Sequence, residues 1–124
     1  MPSQVYVCDA SEANDLKRLM EYDPYLDKNL NEQQLADLKD NDDANTIFAR
    51  QDYSIKDGIS INLDSQKYYL YISASEEFLA RAEKKLKANI KSIKRADKET
   101  EDKVINLVEG ERQQSEEGIG SIFG

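Results

Sequence analysis

The side chains that most enzymes use for catalysis are scarce in this chain. Its 124 residues include no histidine, which excludes histidine triads, imidazole bases and histidine-containing zinc sites. Cys8 is the only cysteine, so neither an internal disulfide nor a cluster of thiolate ligands can form. The five glycines do not match a phosphate-binding pattern. The sequence therefore predicts no metal, no cofactor and no catalytic residues. An enzyme that acts through Asp, Glu, Lys, Arg and Tyr alone stays an alternative.

Two local groups could still carry chemistry, and both have a simpler interpretation. Cys8 lies where a predicted strand leads into a helix, a position that can lower the pKa of a thiol. No base accompanies it, and we interpret it as a small core residue. The acidic segment 40–45 offers oxygen ligands for calcium but lacks the central glycine and the closing glutamate of a calcium-binding loop. We expect a solvated loop there.

Aromatic side chains form the third candidate group. If the strands predicted below share one sheet, two tyrosines, a phenylalanine and an arginine fall on the same face. RNA-recognition modules stack bases on such a sheet face, so the pattern is compatible with RNA binding. The simpler interpretation is that a helix or the C-terminal tail covers this face as a second core layer. The possible platform consists of Phe48, Arg50, Asp52, Tyr69 and Tyr71.

Charge is distributed unevenly along the chain. The formal net charge of −8 disfavours nucleic acids as partners, because phosphate neutralisation supplies most of their affinity. Residues 80–98 nevertheless carry eight basic residues against two acidic ones, a local net charge of +6. A solvated helix face is the simpler interpretation. The alternative is a docking surface for an acidic partner, with Lys84, Lys87 and Lys91 as its predicted contact residues.

The C-terminal residues combine glycines with a few large apolar side chains. This segment follows a polar stretch and is too short and too rich in glycine to fold alone. We therefore predict a single domain over residues 1–112 and a flexible tail over 113–124. The tail either packs on its own domain or acts as a linear binding motif. Its predicted contact residues are Ile119, Ile122 and Phe123.

The elements that must position these residues begin with a short predicted strand over 5–8. Asp9 or Ser11 can then cap a helix, which ends before Pro24. Asn31 is a good N-cap for a second short helix. From Thr46 onwards the apolar period changes to two, which predicts strands over 46–55, 59–63 and 67–73. The Asp57-Gly58 pair between the first two is typical of hairpins that need a positive φ.

A longer helix follows the strands. The run from Ser73 to Glu76 matches a capping box, and the apolar positions after it repeat at helical spacing. We expect one core to hold both these positions and one face of the strands. Its predicted members are Ile47, Ile59, Ile61, Leu70, Ile72, Phe78, Leu79, Ala82 and Leu86.

The chain beyond Lys87 allows two interpretations. Either the helix continues to Ala96, or it stops near Asn89 and residues 90–95 form a final strand. We favour the strand, because the segment after Asp97 begins like a new helix. The apolar positions of that last helix are Val104, Leu107 and Val108.

The predicted order is β-α-α-β-β-β-α-β-α, an α+β domain with a mostly antiparallel sheet of four or five strands. It resembles a ferredoxin-like sandwich variant in topology alone. That architecture serves regulators, RNA binders, metal carriers and enzymes, so it does not select a function.

We therefore predict a small protein-interaction or regulatory domain without catalytic activity. An RNA-binding module that uses the aromatic sheet face is the first alternative, and a histidine-independent enzyme is the second. The sequence has no apolar run long enough for a membrane span and no secretory signal at its start, which predicts a cytoplasmic location. Neither the partner protein nor the oligomeric state can be derived from the sequence.

Overall fold

The three-dimensional structure is a computed structural model that describes residues 1–41 and 45–123, without the side chains of residues 114–123. In this part the chain forms four strands and four α-helices, joined by turns that include three short 3₁₀ segments. The elements are β1 (Ser3–Asp9), α1 (Ala13–Glu21), α2 (Glu32–Leu38), β2 (Asp52–Asp57), β3 (Lys67–Ser73), α3 (Glu76–Asn89), β4 (Lys94–Arg95) and α4 (Lys98–Phe123).

The four strands form one antiparallel sheet in the order β2-β3-β1-β4. The predicted α+β class and the antiparallel sheet are thus confirmed. The strand predicted over 5–8 is β1, and the one predicted over 67–73 is β3. The segment after α3 contains a strand as favoured above, although β4 has only two residues.

The sheet is covered on both faces, and each face has its own core. On the first face α1 and α3 pack against one side of β1 and β3, with Leu70 and Ile72 fully buried. On the second face α4 covers the other side of the same strands, where Val104 and Val108 contact Tyr69 and Tyr71. Side chains alternate between the faces of a strand, so adjacent residues of β3 enter different cores.

Two predicted strand segments have a different structure. Residues 59–63 form turns, because backbone N–H and C=O groups that would pair with a neighbouring strand form hydrogen bonds within the turn. The Leu63 N–H donates to the Gly58 carbonyl at 2.9 Å, and the Asp57 side chain accepts from Ile59 N–H. Ile59 is 64% exposed, so its predicted place in the core is wrong. Ile61 packs partly buried against the second core and not the first.

The strand predicted over 46–55 also begins later than predicted. Phe48–Arg50 is a 3₁₀ turn, and the strand begins only at Asp52. This turn breaks the alternation, so Phe48 enters the first core and packs edge to face on Phe78, with ring centroids 6.0 Å apart. Ile47 is buried as predicted.

Gly58 is required at the end of β2 for a reason other than the predicted one. Its φ is not positive, so the hairpin does not use the left-handed conformation. A Cβ at this position would instead overlap the backbone carbonyl of Asp64. The loop from Gly58 to Lys67 therefore closes only around a residue without a side chain.

Candidate partner-binding surface

Helix α3 positions two of the three predicted lysines. Its apolar residues Phe78, Leu79, Ala82 and Leu86 are buried against the sheet, as the helical spacing predicted. Lys84 and Lys87 lie on the opposite side and are exposed. The helix begins after Ser75, whose hydroxyl accepts from the Phe78 N–H at 3.2 Å. The predicted cap, Ser73, is instead the last residue of β3.

The third lysine lies in the loop that follows α3. Ile90 and Ile93 are buried and fix this loop to the first core. The Glu12 carboxylate accepts from the backbone N–H groups of Lys91, at 2.9 Å, and Ser92, at 2.8 Å. The Ser92 hydroxyl in turn accepts from the Asp9 N–H at 2.9 Å. These bonds hold the backbone of Lys91 in place while its side chain is exposed.

The bonds at Glu12 affect its ionisation as well as the loop. Hydrogen bonds from the Ser92 side chain and backbone, and from the Lys91 N–H, hold the pKa of this carboxyl below its usual range. Glu12 therefore stays charged at neutral pH.

We call Lys84, Lys87 and Lys91 the basic surface. Lys87 lies 3.7 Å from Glu83 on the preceding turn, an exposed pair that contributes little to stability. Within the part of the chain that the structure describes, Lys84 and Lys91 form no ion pair. Three ammonium groups on a folded backbone can attract carboxylates or phosphates.

Two other basic residues of the segment 80–98 are bonded to other parts of the fold. The Lys85 ammonium donates to the Thr46 carbonyl at 2.9 Å and lies 5.8 Å from the centre of the Phe48 ring. The Arg95 guanidinium donates two bonds to the Glu101 carboxylate, at 2.5 and 2.9 Å. The basic surface is therefore smaller than the sum of charges in the sequence indicated.

The residues of the predicted aromatic platform are not brought together on one open face. Tyr69 and Tyr71 are only 4% and 2% exposed, because α4 covers them. Phe48 lies in the core on the opposite side of the sheet. Arg50 pairs with Asp23 at 3.0 Å and lies over the Tyr25 ring. Asp52 accepts two bonds from Arg112 of α4, at 2.6 and 2.7 Å.

The predicted tail contacts Ile119, Ile122 and Phe123 have side chains outside the described part of the chain. The assigned bounds of α4 extend to Phe123. The domain boundary after residue 112 and the role of the tail stay predictions.

Cys8 is a core residue, which agrees with the simpler interpretation. It is 1% exposed and packs in the first core. Burial, together with the nearby charges of Glu12 and Asp9, raises the pKa of the thiol to about 11. The neutral thiol is a weak nucleophile at physiological pH.

Sequence reasoning missed a buried connection between Glu101, Arg95 and β1. Because β4 is only two residues long, the Glu101 carboxylate takes the place of a strand and accepts from the Val5 N–H at 3.0 Å. Burial disfavours the charged form of Glu101, but the bonds from Arg95 and Val5 outweigh it and lower the pKa of this carboxyl. The six-residue spacing of Arg95 and Glu101 across a strand-to-helix junction has no recognisable sequence pattern.

The described residues contain no group of three or more His, Cys, Asp or Glu side chains arranged to bind a metal ion. None of the helices, searched over the same residues, is long and apolar enough to cross a membrane. No protein-family model matches the chain, and comparison with curated proteins and with solved structures gave no significant match.

Proposed function

We propose that this protein is an interaction module that binds an acidic segment of another protein through the basic surface. The observation that carries the proposal is the placement of Lys84, Lys87 and Lys91. All three side chains are exposed, and their backbone is fixed by a buried helix face and by the Glu12 bonds. Side chains on an ordered backbone lose less freedom on binding than side chains on a mobile loop.

The overall charge also supports this surface as the contact region. Outside residues 80–98 the chain carries a net charge of −14, which repels most acidic partners. An acidic segment would therefore be attracted to one region and repelled elsewhere, which gives orientation more than affinity.

A ferredoxin-like sandwich variant is the architecture we propose for this module. The strand order β2-β3-β1-β4 with antiparallel neighbours supports it, as does the connection of β3 to β4 through α3. Helix α4 then adds a third layer. Since α4 occupies the sheet face, we place the partner on the outer surface of α3 and not on the sheet.

Charge reversal tests the proposal directly. A fluorescent poly-L-glutamate peptide serves as the acidic probe, and binding is followed by fluorescence anisotropy at low and physiological salt. We expect the triple variant Lys84→Glu, Lys87→Glu, Lys91→Glu to bind at least about tenfold more weakly than the native chain. Added salt should weaken native binding in the same direction.

A matched control separates the basic surface from net charge. The variant Lys28→Glu, Lys39→Glu, Lys103→Glu changes the net charge equally at three exposed lysines outside residues 80–98. It should keep most of the native affinity, and both variants should melt near the native temperature. Equal loss in the two triple variants would show that binding follows net charge alone, and the proposal would be wrong.

The RNA-binding alternative is tested with the same variants. A single-stranded polyuridylate of matched length replaces the peptide, and stacking on Tyr69 and Tyr71 would require α4 to leave the sheet. Tight binding of this RNA that survives the reversal of Lys84, Lys87 and Lys91 would favour the alternative, because bases that stack on aromatic rings do not need these lysines.

A further inference from the structure

Strand β2 is an edge of the sheet. It pairs with β3 on one side, and in residues 1–41 and 45–123 no strand pairs with its other side. Tyr53 and Ile55 are only partly buried against the first core. An open edge of six residues is a template for pairing with another strand.

The hydrogen bonds at the end of β2 show which residues face outward. The Gly58 N–H donates to the Lys67 carbonyl at 3.0 Å. Bonded and non-bonded pairs alternate in an antiparallel ladder, so Asp52, Ser54 and Lys56 bond to β3. The backbone groups of Tyr53 and Ile55 therefore point to the open edge.

We infer that two copies of this chain associate edge to edge through β2, antiparallel and centred on Ser54. In this register Tyr53 of one copy exchanges backbone bonds with Ile55 of the other. Both are outward-facing residues, as an antiparallel ladder requires. The sheet would then continue across the two-fold axis as eight strands.

The charges on the edge select this register. Asp52 of one copy lies opposite Lys56 of the second, and symmetry forms this pair twice. Both side chains are on the α4 face, where Arg112 bonds Asp52 and Glu111 lies 2.6 Å from Lys56. A register centred on Lys56 would instead place the two Lys56 side chains directly opposite each other, which is unfavourable.

The apolar side chains fit the same register. Tyr53 and Ile55 face the first core, and the pairing sets each tyrosine opposite an isoleucine, a favourable aromatic and β-branched pair. Pairing of one short strand buries less surface than a permanent dimer. We therefore expect a dimer that dissociates on dilution.

Disulfide trapping tests the register. Ser54 of each copy lies opposite itself in a non-bonded pair, whose Cα atoms are about 4.5 Å apart, within disulfide range. Under mild oxidation Ser54→Cys should form a covalent dimer rapidly. Ser65→Cys, in the exposed loop away from the edge, is the control, and the native chain controls for buried Cys8.

A mixing experiment tests the charge pairs by sedimentation equilibrium. Asp52→Lys alone places two lysines opposite each other across the axis, and Lys56→Glu alone places two carboxylates there. Each variant should dimerise at least about tenfold more weakly than the native chain. An equimolar mixture restores both opposite-charge pairs and should form heterodimers of near-native affinity. In the mixture each variant still lacks its own intrachain ion pair, Asp52 with Arg112 or Lys56 with Glu111. Recovery of the affinity therefore reports only the contact between chains.

Three results would overturn the inference. One is a native chain that stays monomeric at the highest concentrations used for NMR. Another is trapping of Ser54→Cys no faster than that of Ser65→Cys. The third is a failure of the mixture to recover when the melting temperature shows that both variants are folded.

Discussion

At the scale of single residues, the alternation along β3 decides which side chain enters which core. Leu70 and Ile72 are buried on the face of α1 and α3, whereas Tyr69 and Tyr71 are buried under α4. A strand that is covered on both faces tolerates little truncation of its side chains, because packed neighbours enclose the cavity that a truncated side chain leaves.

We expect Leu70→Ala to lower the free energy of unfolding by ~2–5 kcal/mol, since it removes methyl groups from a fully buried position. Urea denaturation measures the loss. Ile59→Ala is the control, because the sequence pattern placed both residues in one core and the structure leaves Ile59 exposed. A loss at Leu70 below about 0.5 kcal/mol would contradict the assignment of faces.

At the scale of elements, the ends of the helices depend on single hydrogen bonds. Asn31 caps α2 together with Gln34, and Asp97 accepts from the Thr100 N–H at 2.7 Å at the start of α4. Helix α3 is the case in which sequence and structure differ, because two serines compete for the cap.

Ser75→Ala should cost ~0.5–2 kcal/mol of unfolding free energy, as expected when a capping hydroxyl is removed. Ser73→Ala should cost clearly less, because Ser73 belongs to β3 and not to the helix. Parallel urea denaturation of the two variants measures the difference. If Ser73→Ala were the more costly change, α3 would begin two residues earlier than the structure has it.

At the scale of the whole molecule, Glu101 connects the sheet to the α4 layer. Its side chain is 13% exposed and joins Val5 of β1 to Arg95 of β4 from the first turns of α4. The pKa of this carboxyl is lowered from the ordinary value of 4.5. A carboxyl with a lowered pKa in the folded state stabilises the fold above its unfolded pKa. That stabilisation is lost as the pH falls through the folded pKa.

We therefore expect Glu101→Gln to destabilise the fold at pH 7 by ~1.5–3 kcal/mol, the range for hydrogen bonds to a charged group. The difference from the native chain should shrink as the pH falls below about 4.5. Thermal unfolding across this pH range measures both effects. Glu99→Gln, whose side chain is 83% exposed, is the control on the same helix and should differ little from the native chain. A Glu101→Gln penalty that is independent of pH would show that the charge of Glu101 is not what stabilises the contact.

The fold class and most elements could be predicted from the sequence because their signals are local. The apolar pattern of β3 and the capping residue Asn31 need no distant partner to be recognised. The same is true of the spacing of Phe78, Leu79, Ala82 and Leu86, which predicted the buried face of α3. The exposure of Lys84 and Lys87 followed from that face.

The remaining features depend on contacts that periodicity does not reveal, some within a turn and most between segments far apart in the chain. Local turn bonds remove residues 59–63 from the sheet, although their alternation matches a strand. Helix α4 covers Tyr69 and Tyr71, and its Arg112 binds Asp52 across 60 positions of sequence. Composition and periodicity by themselves determined which faces are apolar. Only the tertiary structure decided which apolar faces meet, because several pairings would bury similar areas and the contacts between distant segments select one of them.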